Sequence, residues 1–467
     1  MSKEQLTFYF TNDLHSHFLQ WPKVAAYLLH KQETHKTNQE TFWTLDIGDH
    51  VDRSHPITEA SRGKANIDLL NQLNYDVVTL GNNEGITLSH DELYHLYDHA
   101  NFSVVCSNLE SLDGQLPAWL KRSEIKETAS GIRIGFLGLT APFNAFYELL
   151  DWYIDNEFDV LDRYITELEK ETDIIVLLSH LGISVDQEIA RRYPSVDIIM
   201  GGHTHHLLQE GERINHTLIT AAGKHCFYVG EVTVEWSHEE NRITNRNGYA
   251  VDLRNTIPDL NTEQYIQSLY EQSKKYLDNV IVKANKPIEV NWFANTPIIQ
   301  SLTTMLRKWT KADFAMLNAG VLLESLPAGP ITYGDIHRIC PHPINPVLVD
   351  LKGDELIEVI RASLSKDFTE LKLKGFGFRG EILGKMIFSG LDVITGFHRT
   401  GGEYVKAVYE QNGKQIDPDQ TYYIATADTF TFGRLLPEIA KSTTKQYFVP
   451  EFLRDLLAET LLQQYSS

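Results

Sequence analysis

Five short apolar runs in the first half of the chain each stop at a turn built from Gly, Asp, Asn or His, and helix-length stretches separate several of them. The clearest is Val196-Asp197-Ile198-Ile199-Met200, a buried-strand pattern that meets Gly201-Gly202 and then His203-Thr204-His205. Positions i and i+2 of an extended tip face the same way, so His203 and His205 can address one point in space. The run 6–10 ends just before Asp13 and His15, and 41–47 opens into Gly48-Asp49. The run 76–80 breaks at Gly81-Asn82-Asn83-Glu84, and 173–178 stops at Ser179-His180. Strand alternating with helix, as in 21–32 and 157–170, predicts an α/β sheet layered with helices. Ligand sites in such sheets gather beyond the carboxyl ends of the strands. Asp13, His15, Asp49, Asn82, His180, His203 and His205 all fall there, and their convergence is the central expectation.

Mixed imidazole and carboxylate donors without thiolate suit divalent Mn, Zn, Co or Fe over Ca or Mg. Seven ligands serve two ions if one carboxylate is shared, and Asp49 is the expected bridge. A pair of ions ~3.5–4 Å apart activates a water and clamps phosphoryl oxygens during in-line attack, which points to phosphoester hydrolysis. A net charge of −21 argues against a general nucleic-acid or anionic-membrane surface, so neither partner is expected. A phosphate-bearing substrate must then be received by metal ions or a local basic patch. Three cysteines (Cys106, Cys226, Cys340) make no disulfide framework, and the first residues carry no apolar signal core. A cytoplasmic protein is expected.

With these residues in view, the chain resembles the calcineurin-like metallophosphoesterases, specifically the two-domain 5′-nucleotidase group. Asp13-Leu14-His15, Gly48-Asp49 through Asp52, Gly81-Asn82-Asn83-Glu84, His180 and Gly202-His203-Thr204-His205 look like its five motifs in order. The resemblance implies a four-layer β-sandwich flanked by helices, with an α+β C-terminal domain. It implies that Asp13, His15, Asp49 and His205 hold one ion, and Asp49, Asn82, His180 and His203 the other. It also implies hydrolysis by a hydroxide that bridges two divalent ions, with Asn82 and Asn83 steadying the developing charge. One departure stands out. The family's third motif carries a His and, two places on from its Glu, an Asp that assist the leaving group; here these positions are Asn83 and Ile86. Asparagine can donate a hydrogen bond but transfers no proton, and such transfer is worth ~10²–10⁴-fold. His50, His17 and His206 are the nearby substitutes.

The domain expectation is 1–250 catalytic, 251–285 a linker with a bridging helix, and 286–467 a 5′-nucleotidase-type substrate-binding domain. The second half resembles that domain through Asn318-Ala319-Gly320, Leu351-Lys352-Gly353 and Tyr423-Ile424-Ala425-Thr426-Ala427-Asp428. By that resemblance a nucleoside would lie between two rings, His342 and either Phe430 or Phe432. Asn318 would contact substrate, and Arg379 in Gly375-Phe376-Gly377-Phe378-Arg379-Gly380 would grip phosphate. The leading expectation is a dinuclear-metal phosphohydrolase acting on nucleotides or related phosphorylated small molecules. The alternatives are a nucleotide-sugar or dinucleotide pyrophosphatase, a cyclic nucleotide phosphodiesterase, or a non-catalytic metal-dependent nucleotide-binding protein.

Overall fold

The structure is a computed structural model that describes residues 3–397, 403–433 and 435–465. It divides into two compact units, Met1–Gln272 and Ser273–Ser467, with the division inside the helix Leu260–Leu277.

Among the described residues, the first unit holds two large sheets and a two-stranded ribbon of Leu109–Ser111 with Trp152–Ile154. One runs in the order Arg242–Asp252, Tyr228–Ser237, Lys3–Thr11, Thr41–Asp46, Val77–Val78, Ser103–Val105, Leu120–Lys121. The other runs Glu212–Ile214, Thr217–Ala221, Ile198–Gly201, Ile174–His180, Arg133–Thr140, Ser123–Glu127. Alternation along each strand builds the layers. Leu6, Phe8 and Phe10 face Phe136, Val176 and Leu178 in one core between the sheets. Ile175, Leu177 and Ile199 turn the other way, under the apolar faces of helices Glu157–Glu171 and Ile183–Arg192. On the outer face of the first sheet, Trp21, Val24, Ala25 and Leu28 are buried on helix Trp21–Asn38. The layers are therefore helix, sheet, sheet, helix. Lys3–Thr11, Thr41–Asp46, Val77–Val78 and Ser103–Val105 are parallel, as are Arg133–Thr140, Ile174–His180, Ile198–Gly201 and Thr217–Ala221. Within each sheet these carboxyl ends point one way. The third expected strand, 76–80, shrinks to two residues, because Gly81 and Glu84 already belong to the loop and helix that follow.

The second unit is built on a mixed five-stranded sheet, in the order Met386–Ser389, Phe314–Asn318, Thr421–Ala427, Pro346–Lys352, Lys445–Tyr447. Helix Pro297–Thr310 packs on it with Ile298, Ile299, Leu302 and Leu306 buried. Asp428, just past Thr421–Ala427, is buried and exchanges backbone and carboxylate hydrogen bonds with Asn345. Burial raises its carboxyl from 3.8 to about 7. The folded chain therefore holds this proton up to about pH 7 while the unfolded chain releases it near 3.8, so stability falls as pH rises through that window. Asp428→Asn is expected to match the parent at pH 4 and to gain on the order of 1–3 kcal/mol at pH 8, read from melting curves at both pH values.

Among the described residues, no helix is long and apolar enough to cross a membrane.

Candidate functional site

All seven expected donors lie at or just beyond the carboxyl ends of parallel strands, and the loops that carry them are tied to one another. Asp13 N donates to Gly48 O (3.0 Å) and His15 N to Asp49 O (2.8 Å). The buried Glu84 carboxylate accepts from the backbone N–H groups of Val51 (2.8 Å), Gly81 (3.0 Å) and Asp49 (3.1 Å). That tie pulls the second and third donor loops together. Their approach is so close that a Cβ on Gly81 would sit 2.1 Å from Asp49 Oδ1. Five of the seven donors occupy left-handed backbone: Asp13, His15, Asp49, His203 and His205, with φ of 50°, 49°, 51°, 70° and 57°. Such residues are uncommon outside glycine, and strained backbone tends to cluster at functional sites.

Two groups of donor atoms result, one of Asp13, His15 and His205, the other of Asp13, Asp49 and His180. His15 Nε2 and His205 Nε2 face each other at 3.1 Å, with Asp13 Oδ1 at 3.6 and 3.3 Å from them. Asp13 belongs to both groups, with its Oδ1 also 3.9 Å from His180 Nε2, and Asp49 Oδ2 reaches across from the second group, 3.7 Å from His15 Nε2 and 3.4 Å from His180 Nε2. His180 donates Nδ1–H to Ile47 O at 2.8 Å, which leaves its buried Nε2 aimed into the cluster with no hydrogen-bond partner. Asn82 Oδ1 and His203 Nδ1 are 2.9 Å apart.

This donor set fits divalent cations. Among the described residues, no lysine or arginine pairs with Asp13 or Asp49, so imidazoles are the only basic side chains in ion-pair contact with these two buried carboxylates. Burial pushes the Asp13 carboxyl up, but His15, His205 and His180 outweigh it and hold it well below the usual carboxylate range. Burial likewise opposes charge on His15, yet Asp13, Asp52 and Asp49 raise it to about 10. His180 is raised to about 9 against its own burial, mainly by Asp49. Without a cation, protons on these rings must balance the acids. A bound cation does so instead and takes the orphaned nitrogen lone pairs, as neutral histidine does in metal sites.

The substitutes for the missing acid differ in access. His50 is buried edge-on against Trp21, its Nδ1 takes the Asn66 amide, and burial lowers it to about 3. His206 is exposed and pairs with Thr204 Oγ1. His17 stacks on His225, ring centroids 4.8 Å apart. His225 was missed in the sequence. It has φ of 59°, donates its backbone N–H to Asp13 O and sets its ring against His15 at 6.0 Å. The signal was available, since it follows strand Thr217–Ala221 as the other donors follow theirs.

In the second unit several expected substrate contacts are corrected. His342 is 0% exposed, donates Nε2–H to Val321 O and accepts the Arg379 backbone N–H at Nδ1, so it holds a loop and offers no stacking face. Phe430 is also 0% exposed and belongs to the core. Asn318 is buried, with its amide donating to Leu383 O. The open rings are Phe376, 48% exposed, and half-buried Phe432, parallel within 7° at 6.4 Å between centroids. Arg379 is half-buried in the same glycine-rich loop as Phe376.

Comparison with known proteins shows the family. Residues 6–207 match the family model for calcineurin-like phosphoesterases, and residues 277–434 that for the C-terminal domain of 5′-nucleotidases. The chain is 42% identical to the uncharacterized metallophosphoesterase YunD of Bacillus subtilis over 99% of its length and 100% of that protein. It is 25% identical to the endonuclease YhcR of the same organism over 76% of the chain, but spans only 31% of that protein. The solved structure of a putative 5′-nucleotidase from Staphylococcus aureus shares the fold at a TM-score of 0.69, with 20% identity, 98% of this chain and 96% of that one covered. The chain thus belongs to the calcineurin-like phosphoesterases that carry a 5′-nucleotidase C-terminal domain, and is a phosphoester hydrolase.

Proposed function

We propose that the protein is a dinuclear-metal phosphohydrolase acting on nucleotides or related phosphorylated small molecules. The carrying observation is a pair of buried carboxylates where two groups of donors meet: Asp13 Oδ1 is close to His15, His205 and His180, and Asp49 Oδ2 to His15 and His180. Asp13, His15, Asp49 and His205 would hold one divalent cation, and Asp49, Asn82, His180 and His203 the second. Bound cations would supply a nucleophile at neutral pH and positive charge for phosphoryl oxygens. The chain's own task is to fix the donors: His180 through Ile47 O, and the loops of Asp49 and Asn82 through Glu84. An acidic protein receives an anionic substrate here because the local charge is set by the cations. The test is to strip metal, restore Mn²⁺ or Zn²⁺, and screen nucleotides; turnover that ignores chelation refutes the reading.

In the second unit, Phe376 and Phe432 would take the nucleobase. The two rings are parallel, with centroids 6.4 Å apart; an inserted flat ring needs roughly 7 Å between their planes, so they would part to admit one. Base–aromatic stacking is worth ~1–3 kcal/mol per base. Phe376→Ala is therefore expected to raise KM for a nucleotide about tenfold or more while leaving that for a nitrophenyl phosphate unchanged, measured by steady-state kinetics.

A second reading, hydrolysis of phosphoanhydrides in dinucleotides or nucleotide sugars, is favoured by Asn83 and Ile86, which bring no transferable proton. Phosphate leaving groups depart without one. Turnover of a dinucleotide well above that of a nucleoside monophosphate selects this reading.

A further inference from the structure

We propose that His342 is a positioning residue that sets where the exposed Phe376 ring stands, and so tunes nucleobase binding without touching the base. The inference rests on the reading of Phe376 and Phe432 as the nucleobase site.

Phe376 occupies uncommon backbone for a large side chain. Gly375 O accepts the Phe378 N–H at 3.0 Å, which closes a tight turn with Phe376 and Gly377 at its centre. Their φ angles are 53° and 76°, a region that such turns usually fill with Gly, Asn or Asp. A phenylalanine stays there only when its surroundings hold the turn in place.

His342 supplies that hold. Its Nε2–H donates to Val321 O (3.0 Å), and its Nδ1 accepts the Arg379 backbone N–H (2.9 Å). One partner is a carbonyl that only accepts and the other an amide that only donates, so a single neutral tautomer satisfies both. Burial lowers the imidazole to about 3, which keeps it in that form. Its ring also lies against Phe378, with centroids 5.0 Å apart and planes within 14°. The backbone that carries His342 is fixed in turn, because the Arg454 guanidinium donates to Pro341 O (3.0 Å) and His342 O (3.2 Å). The turn sits directly on this segment: a Cβ on Gly377 would come 2.8 Å from Pro343 O. On its other side, Thr429 Oγ1 donates to Phe376 O at 2.9 Å. Thr429 belongs to the short helix Asp428–Thr431, which leads directly into Phe432. The two open rings are therefore set against each other by buried groups behind them.

The test uses the full-length protein at saturating Mn²⁺, with nitrophenyl phosphate as substrate and AMP as the probe, its affinity read from inhibition of nitrophenyl phosphate turnover. His342→Phe keeps a ring against Phe378 and removes both hydrogen bonds. It is expected to weaken AMP about three- to tenfold, the usual loss when a loosened side chain must be ordered again on binding. KM and kcat for nitrophenyl phosphate are expected to stay where they were. Thr429→Val, which removes the second tie, should shift AMP the same way and keeps the comparison intact if His342→Phe folds poorly. In a Phe376→Ala background, His342→Phe should weaken AMP no further, since a residue that acts through a ring has nothing to act on once the ring is gone. The inference is overturned by the same loss in both backgrounds, by unchanged AMP affinity in both folded variants, or by a parallel loss for nitrophenyl phosphate, which marks a general scaffold role. Phe376→Ala alone leaving AMP affinity unmoved is a different result: it removes the nucleobase reading itself, and this inference with it.

Discussion

Asp49→Asn is expected to lower turnover at least roughly thousandfold at every Mn²⁺ concentration, because a bound ion lowers the pKa of water from about 16 to about 7 and that advantage depends on holding the ion. The substitution keeps the shape of the side chain and removes its charge. It also replaces a charged oxygen close to both His15 and His180 with a neutral carbonyl oxygen or an NH2 group that can only donate. Asp49 Oδ1 accepts the Asn83 backbone N–H, a bond an amide oxygen can keep, so the loop has a way to stay in place. The loss should therefore appear in metal content and in turnover of an activated ester, with the melting temperature of the metal-free protein largely retained. Near-parental turnover in Asp49→Asn would mean that this carboxylate is not shared between ions.

Gly81→Ala is expected to be as severe by another route. A Cβ there would sit 2.1 Å from Asp49 Oδ1 and 2.2 Å from Asp49 N, and a backbone atom cannot swing aside as the end of a long side chain can. Gly48 faces the same contact from the other loop, where an added Cβ would lie 2.1 Å from Gly81 N. Relief must come from separating the loops that Glu84 binds together. Overpacking in a well-packed interior costs ~1–3 kcal/mol. The larger consequence is geometric: Asp49 moves away from His180, and both Mn²⁺ binding and turnover are expected to fall below detection. Thermal melts with and without Mn²⁺ check it, since the parent should gain stability on adding metal and Gly81→Ala should not.

Much of the first unit was legible because its logic is periodic. Apolar runs buried on both faces mark parallel strands, and a turn of Gly, Asp, Asn or His marks where each stops, so Asp13, Asp49, His180 and His203 fall together once the strands align. His225 obeys the same rule but stands alone in Gly223-Lys224-His225-Cys226, with no second donor two places away to draw attention. The second unit was harder for a different reason. The expectation for His342 and Phe430 rests on their order along the chain, and order carries no information about burial. Both turned inward, while Phe376, in a loop noticed only for Arg379, carries the open ring.

The left-handed backbone at Asp13, His15, Asp49, His203 and His205 limits how this chemistry could be moved elsewhere. Grafting the seven side chains onto another scaffold would reproduce the inventory and miss the function, since ordinary loops would relax each residue out of register. What has to be transplanted is the contorted main chain together with the crossing amide bonds that keep it so, and a designer would do better to borrow the loops whole.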